Sequence, residues 1–377
     1  MNILVVCHYG LYKDLSFSFV HNQIREYVKL GHRVRAIIPI GWGKADRNGK
    51  RISKALQITQ VDGVELCDLR YLTLGGHGEK GFNTKCAVFA VKTHKRKLFL
   101  DFQPDVIHAH TLGFDSDLGA WLKKKFGCPL VVTTHGSDVA GPLSRGDGTW
   151  LKERCDRADA IVSVSSALRE KVRSCGTATR LEVILNGFVA RKPHSEIPRN
   201  PCHMIQVCNL IPLKRVDVTI RAFASVKKNH PGMELTVIGQ GPQRAMLEEL
   251  CHQLGVSESV RFLGQLPNPA VFEELSGATY FVMASKPEGF GIVYLEAMAA
   301  GCVAIGTEGE GIGDLIKNGE NGFLVPADDP EAIVSVIETC LSAPEQAAAI
   351  AQKGQAAANK LTWDCNAKQY LELFGEL

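Results

Sequence analysis

Short apolar runs alternate along almost the whole chain with longer stretches whose apolar residues recur at helical spacing. In the first half the strand-like runs are NILVVC (2–7), RVRAII (33–38), VELCDL (64–69), DVIHAH (105–110), LVVTT (130–134), AIVSVS (160–165) and LEVIL (181–185). In the second half they are HMIQVCN (203–209), ELTVIG (234–239), SVRFLG (259–264), TYFVMA (279–284), CVAIGT (302–307) and GFLVP (322–326). Helical periodicity fills most of the gaps, for example over 17–30, 215–229 and 243–254. Runs apolar at successive positions predict strands buried on both faces, and their alternation with helices predicts right-handed crossovers and parallel sheets.

The fold class that follows is α/β, with two doubly wound, Rossmann-like domains of comparable size. Pro, Gly and charge replace apolar periodicity over 187–202 (GFVARKPHSEIPRNPC), which marks the break between them. Gly41 to Lys54 is polar and basic and Gly75 to Gly81 is glycine-rich, so both are expected as mobile loops. Ligands of open parallel sheets bind beyond the carboxyl ends of the strands. Two such sheets facing each other would make the cleft between them the active site, and the residues just after each strand its candidates.

At 377 residues the chain exceeds what one hydrophobic core usually supports, consistent with two domains. No apolar run reaches the ~18 to 20 residues that span a bilayer. NILVVC has no basic stretch before it and no small-residue cleavage site after it, so it is expected as a buried strand and not as a leader. The 12 cysteines are scattered, with no CxxC and no Cys/His ligand cluster, which argues for a reducing, cytoplasmic setting without disulfides or structural zinc.

Charge changes the picture more. Residues 1–186 hold 28 Lys and Arg against 18 Asp and Glu, whereas 187–377 hold 15 against 22. The first half is therefore at +10 and the second at −7, with basic runs KTHKRK (Lys92 to Lys97) and KKK (Lys123 to Lys125) in the former. Such a half suits an anionic membrane surface or an acidic substrate, or its runs are simply solvated helix faces. The runs lack interleaved aromatics and any recognisable binding module, so nucleic acid is not an expected partner.

The most informative stretch is SKPEGFGIVYLEAMAAG, Ser285 to Gly301. A strand ends, a Pro/Gly loop follows, and a run of good helix formers begins near Ile292. The spacing predicts unpaired backbone N–H groups at Phe290, Gly291 and Ile292, with Gly289 and Gly291 letting an anion such as a phosphate approach closely. Glu288 precedes this helix start and Glu296 stands about one turn inside it, on opposite sides of the anion site, so one acid can hold sugar hydroxyls and the other a ribose. A second stretch, VCNLIPLKRVD (Val207 to Asp217), carries Lys214 between a strand end and a helix, where a lysine neutralises a leaving diphosphate without a metal. A third, TTHGSD (Thr133 to Asp138), sets His135 at a strand end.

Together these segments resemble the retaining glycosyltransferases of family 4, which carry an E-x7-E signature on the GT-B fold. The resemblance implies that Glu288 contacts hydroxyls of the donor sugar and Glu296 the ribose. It further implies that Lys214 clamps the diphosphate, the backbone at Leu266 meets the base, and His135 lies against the transferred sugar. His108 and His110 are expected in structural or outer-shell roles. Asn209 stands where the family most often has arginine, which leaves one positive charge fewer on the donor phosphates; Arg215 is expected to point elsewhere. GQGP (239–242), VRFLGQL (260–266), NGENGFLVP (318–326) and TWD (362–364) extend the match. The implied division is an acceptor-side domain over 1–190, rejoined by a closing helix at 362–377, and a donor-binding domain over 191–361. Tyr12 to Phe19 (YKDLSFSF) departs from the Gly-Gly loop of many relatives and leaves the acceptor open.

The implied activity is transfer of a sugar from a nucleoside diphosphate sugar, the co-substrate, to a hydroxyl of a glycan or lipid-linked acceptor. The setting it implies is bacterial-type glycan or glycolipid assembly. No cofactor or metal is required. Asp115 and Asp117 form a DxD, a metal-binding pattern in a different glycosyltransferase fold, but here one of them is expected to cap the helix LGAWLKKKF. Two other activities stay open: a sugar-nucleotide epimerase on the same fold, and a non-catalytic nucleotide-sugar-binding partner.

Overall fold

A computed structural model describes residues 1–8, 18–42, 54–73, 81–191 and 197–377. It divides into two compact units, Met1–Gly187 with Trp363–Leu377, and Phe188–Thr362. The loops expected at Tyr12 to Phe19, Gly41 to Lys54 and Gly75 to Gly81 lie wholly or mostly outside the described residues.

In the first unit, chain order runs β1 (Asn2–Val6), α1 (Ser18–Lys29), β2 (Arg33–Gly41), β3 (Leu56–Val61), β4 (Val64–Tyr71), α2 (Phe82–Thr93), α3 (Lys95–Phe99) and β5 (Val106–His110). It continues through α4 (Phe114–Phe126), β6 (Leu130–Thr134), α5 (Ser137–Ser144), α6 (Gly148–Cys155), β7 (Ala160–Ser163), α7 (Ser166–Arg173) and β8 (Arg180–Val183). The eight strands form one sheet in the order β3-β4-β2-β1-β5-β6-β7-β8. All neighbours are parallel except β3, which pairs antiparallel with β4.

That edge strand corrects the expectation of a purely parallel sheet. LQITQV alternates polar and apolar residues as a half-exposed strand does, and Asp62-Gly63 turns it into β4 with both residues at positive φ (51° and 78°). Such a two-residue Asp-Gly turn matches the twist of a hairpin. The unit is closed by its returning helix. Val20, Ile24 and Tyr27 of α1 share a core with Ala367, Tyr370, Leu373 and Phe374 of the last helix, α14 (Trp363–Gly375). Fully burying each large side chain contributes roughly 1.5–3 kcal/mol.

The second unit holds β9 (Asn200–Val207), α8 (Val216–Asn229), β10 (Glu234–Ile238), α9 (Arg244–Gln253), β11 (Val260–Gly264), α10 (Asn268–Gly277) and β12 (Ala278–Val282). α11 (Ile292–Ala299), β13 (Val303–Thr307), β14 (Phe323–Val325), α12 (Pro330–Ser342) and α13 (Pro344–Ala358) complete it. Its sheet is entirely parallel, in the order β11-β10-β9-β12-β13-β14. Leu235, Val237, Tyr280, Val282, Val303 and Ile305 bury one sheet face under Ile220, Phe223 and Ile333 of the covering helices. Helix starts follow sequence chemistry: Asp329 caps α12 by accepting from Ala332 N–H at 3.1 Å, with Pro330 at the first helical position.

Candidate active site

β9 and β12 lie side by side, and the chain leaves them in opposite directions, to β10 and β11 on one side and to β13 and β14 on the other. Their carboxyl ends flank the switch point where ligands of such sheets bind. The two motif loops of the second unit emerge there. After β9, Pro212 opens a single 3₁₀ turn, Pro212–Lys214, which Arg215 ends at φ 49°. Gln206 Nε2 donates to the Lys214 carbonyl at 2.9 Å, and Lys286 N–H donates to the Leu213 carbonyl at 2.8 Å, tying the loop after β9 to the loop after β12.

The side chains meet as well. Lys214 Nζ lies 2.5 Å from Glu288 Oε2, and Glu288 also accepts from Ser285 Oγ at 2.9 Å. Lys214 and Glu288, read from sequence as separate clamps for phosphate and sugar, form one half-buried, charge-assisted pair. The Glu288 N–H in turn donates to Glu310 Oε2 at 2.8 Å. Glu310 was not among the sequence candidates. Its signal is the glycine-rich EGEGIGD that follows the strand run at 302–307, one strand over from the motif.

α11 begins at Ile292, as the sequence predicts, with Gly291 before it at φ 80°. A Cβ on Gly291 would come within 2.7 Å of the Tyr294 ring, so only glycine fits there. Among the described residues no hydrogen bond engages the N–H of Phe290, Gly291 or Ile292. Gly289 and Phe290 are buried, and Gly311 packs so closely on the Gly289 carbonyl that a Cβ would stand 1.9 Å from it. The loop thus presents a row of unpaired donors at the positive end of a helix.

Glu296 sits in a different environment from Glu288. It is half-buried and lines a small cavity of about 30 Å³ with Val189, Arg191, Asn268 and Phe272. Burial pushes its carboxyl up to about 7, with Arg191 pulling the other way. Asn209 is exposed, and Leu266, half-buried, follows β11 by two residues. Arg215 does point elsewhere, to Asp328 at 3.0 Å. Beside Lys214, burial pushes the Cys208 thiol up to about 12.

The glycines of GQGP have a packing role. A Cβ on Gly239 would stand 1.8 Å from the Cys208 carbonyl oxygen, and one on Gly241 would stand 2.4 Å from that of Leu210. Leu210 N–H donates to the Gln240 carbonyl at 3.0 Å. The two glycines let the turn after β10 abut the loop that carries Asn209 and Lys214.

In the first unit, His135 follows β6. His135 and Gly136 N–H donate to Asp138 Oδ1 at 3.0 and 2.9 Å, and Leu112 N–H donates to its Oδ2 at 3.0 Å. His110 Nδ1 and His135 Nε2 share a hydrogen bond of 3.2 Å between stacked rings. His108 Nε2 pairs with Thr133 Oγ1 at 2.8 Å, which pairs with Tyr370 OH at 2.8 Å. Desolvation lowers His108 and His135 to about 3, and His110 is held well below the usual imidazole range. All three are neutral at physiological pH. Nearby, His8 donates its backbone N–H to the buried Asp115 at 2.9 Å, and its Nδ1 lies 2.8 Å from the same carboxylate. Thr111, between His110 and this pair, is β-branched yet held at φ 83°, a strain of about 1–3 kcal/mol.

Neither aspartate of the DxD caps its helix. Gly113 is the N-cap, bridged by Ser116, while Asp115 accepts from His8 and Asp117 is paired with Arg154 and Arg157. Asp115 turns inward to His8, which follows β1, and to Thr111 Oγ1 at 3.2 Å, and local sequence does not reveal the first of these partners.

Residues 18–191 match the family model described as Glycosyltransferase Family 4, and residues 190–357 match the model described as Glycosyl transferases group 1. The chain belongs to the family 4 glycosyltransferases. Within the family it is 29% identical over 283 residues to glycogen synthase of Mycobacterium tuberculosis, covering 70% of this chain and 66% of that one. The chain spans between 26% and 66% of the length of several curated relatives it matches. Among solved structures, sucrose-phosphate synthase of Thermosynechococcus elongatus superposes with TM-score 0.82 at 20% identity, covering 100% of this chain and 98% of that one. Anabaena HepE in complex with UDP-glucose superposes with TM-score 0.76 at 20% identity over 100% of both chains. These likenesses show the GT-B fold of the glycosyltransferases.

Proposed function

We propose that this glycosyltransferase moves a sugar from a nucleoside diphosphate sugar to an acceptor hydroxyl with retention of anomeric configuration. The observation that carries the proposal is the Lys214–Glu288 pair beside the unpaired amides at the start of α11. A cation and a helix N-terminus are what a departing diphosphate needs, because their value grows as charge develops on it. The HepE structure with UDP-glucose supports a donor of this class.

In this mechanism Lys214 and the amides of Gly289, Phe290, Gly291 and Ile292 take the diphosphate, and Glu288, released from Lys214 by the incoming phosphate, orients sugar hydroxyls. Glu296 takes the ribose, the backbone at Leu266 the base, and Asn209 flanks the phosphates. The C1–O bond breaks with its electron pair on the diphosphate, and the acceptor oxygen bonds C1 on the same face. Its proton passes to the leaving phosphate. His135, a neutral imidazole, accepts or donates a hydrogen bond at the transferred sugar without changing charge. No metal or resident cofactor takes part.

The second unit is the donor-binding domain and the first is the acceptor-side domain. The acceptor proposed is a glycan or a lipid-linked glycan, met by a cytoplasmic protein at the anionic inner face of a cell membrane; the +10 balance of residues 1–186 supports this partner. Mass spectrometry of the purified protein with a panel of nucleotide sugars, followed by NMR of the anomeric proton in the product and of the donor recovered without acceptor, tests the core of the proposal. One nucleoside diphosphate sugar should bind, and its sugar should appear on an acceptor with the α or β configuration it had in the donor. Inversion at C1, or epimerised donor formed without acceptor, would defeat it.

A further inference from the structure

We propose that the face formed by α2, α3 and the last turn of α4 is a docking surface for an anionic lipid bilayer, with cations at its rim and apolar side chains that enter the interface. This locates the membrane partner named above and rests on that reading, but its test needs neither donor nor turnover.

The outward face of α2 reads Phe82, Lys85, Phe89 and Lys92, all exposed and spaced three and four residues apart, so they form one stripe. α3 continues it with exposed Lys95, Arg96 and Lys97, and Leu100 follows. Phe89 is 72% and Leu100 76% exposed, the two most exposed large apolar side chains among the described residues. Burial inside the unit explains neither of them.

The two basic runs, separate in sequence, converge here. Lys92 Nζ and Lys125 Nζ both lie 5.8 Å from the centre of the Trp121 ring on α4. Lys125 Nζ also lies 4.6 Å from the rings of Phe99 and Phe126, which brings the end of α4 against α3. Burial and the charge of Lys95 together hold the Lys125 ammonium below the usual lysine range, so like charges are gathered with no acid between them. No Asp or Glu occurs between Lys80 and Leu100 or between Leu118 and Ser137. Among the described residues, Lys92, Lys95, Arg96, Lys97, Lys124 and Lys125 take part in no ion pair; Lys123 does, with Asp159 at 2.8 Å. A cluster of unpaired cations on aromatic supports, beside exposed Phe and Leu, matches the amphipathic chemistry of a lipid interface. A water-soluble polyanion would satisfy the cations and leave Phe89 and Leu100 in water. Among the described residues no helix is long and apolar enough to cross a membrane, so this contact would be peripheral.

The test is co-sedimentation of the whole protein with vesicles of phosphatidylcholine alone and of equal parts phosphatidylcholine and phosphatidylglycerol, with soluble polyphosphate as competitor. Binding should require phosphatidylglycerol and weaken with salt. Changing Lys92, Lys95, Arg96, Lys97, Lys124 and Lys125 to Gln should weaken it by roughly 100-fold or more, about fivefold for each cation engaged. F89A with L100A should weaken it by roughly tenfold, because apolar area no longer enters the interface. Both variants should keep the wild-type melting temperature and any donor hydrolysis the protein has, which separates this proposal from the catalytic one. Equal sedimentation with neutral vesicles, or undiminished binding by the six-Gln variant, overturns it. So does undiminished vesicle binding by the apolar variant with complete displacement by polyphosphate, which would make the face a site for a soluble polyanion.

Discussion

The two units reach similar sheets but build their strand-end chemistry in opposite ways. The second unit keeps a mobile-ion chemistry near solvent: Lys214 and Glu288 paired but only partly buried, with unpaired amides at α11 beside them. The first unit packs its polar groups inside. His108 and His110 are buried, His135 stacks on His110, and Asp115 and Asp138 are desolvated under backbone donors. Charged groups left partly solvated can respond to an arriving diphosphate, whereas neutral rings in a desolvated stack hold one shape and one charge across physiological pH. The lesson is that charge chemistry is carried by contiguous loops, and shape chemistry by strand pairing.

Breaking the charge chemistry should have the largest effect. Lys214→Ala is expected to lower turnover by roughly 10²- to 10³-fold, about 3 to 4 kcal/mol, because the cation matters most as the diphosphate departs. Steady-state rates beside a melting curve check this. A loss of activity that merely tracks a loss of folded protein would reduce Lys214 to a structural partner of Glu288.

Next comes a packing change confined to the second unit. Gly239→Ala sets a Cβ against the Cys208 carbonyl at a residue with φ 131°, and should cost about 3 kcal/mol. Trp42, Trp121, Trp150 and Trp363 are the chain's 4 tryptophans, and all lie in the first unit. Their fluorescence therefore follows the unfolding of that unit. In urea, circular dichroism of the variant should show an early transition that tryptophan fluorescence does not share.

A smaller contrast lies in pH. The imidazoles of His108 and His135, at about 3 when folded, bind protons more readily in the unfolded chain. Their contribution is therefore fully present above pH 6.5 and is lost as pH falls below it, by up to about 1.4 kcal/mol per pH unit for each histidine. Asp115 and Asp138, raised by burial, oppose this as pH falls through their folded values. Glu296 has the other sign: its carboxyl, raised to about 7, binds its proton more readily when folded, so its burial costs stability as pH rises from 4.5 through 7. Glu296→Gln should remove that cost and steady the second unit at pH 8. Tryptophan-detected denaturation should weaken from pH 6.5 downward in both proteins alike. An equal shift of the fluorescence transition by Glu296→Gln would mean that the two units do not titrate separately.

The smallest effect is a gain. Asn209 is exposed near Lys214, and Asn209→Arg should tighten binding of a bare nucleoside diphosphate by a few-fold, about 0.5 to 1 kcal/mol, as a partly solvated ion pair does. Calorimetric titration measures it. Unchanged affinity would show that Asn209 does not face the phosphates.

Most strands of both sheets were legible from apolar runs, because burial on both faces favours apolar residues at successive positions; polar residues such as Arg35, Asp68, His108 and Gln206 interrupt the runs and are buried with partners. The start of α11 at Ile292 and the turn at Lys214 were legible too, since Pro, Gly and helix formers act through local backbone preference. β3 carried a signal in its alternation and its Asp-Gly turn, but a half-exposed edge strand imitates a polar loop. What no stretch of sequence states is which loops touch. Strand order brought Glu310 to the Glu288 amide, set Gly239 against Cys208, stacked His110 on His135 and drew Asp115 from its helix cap to His8. It also joined the basic runs around Trp121. Propensity and periodicity act over a few neighbouring residues and so can be read along the chain. Contacts between residues 22 to 107 apart depend on sheet register and helix packing, and are decided only when the whole unit closes on its core.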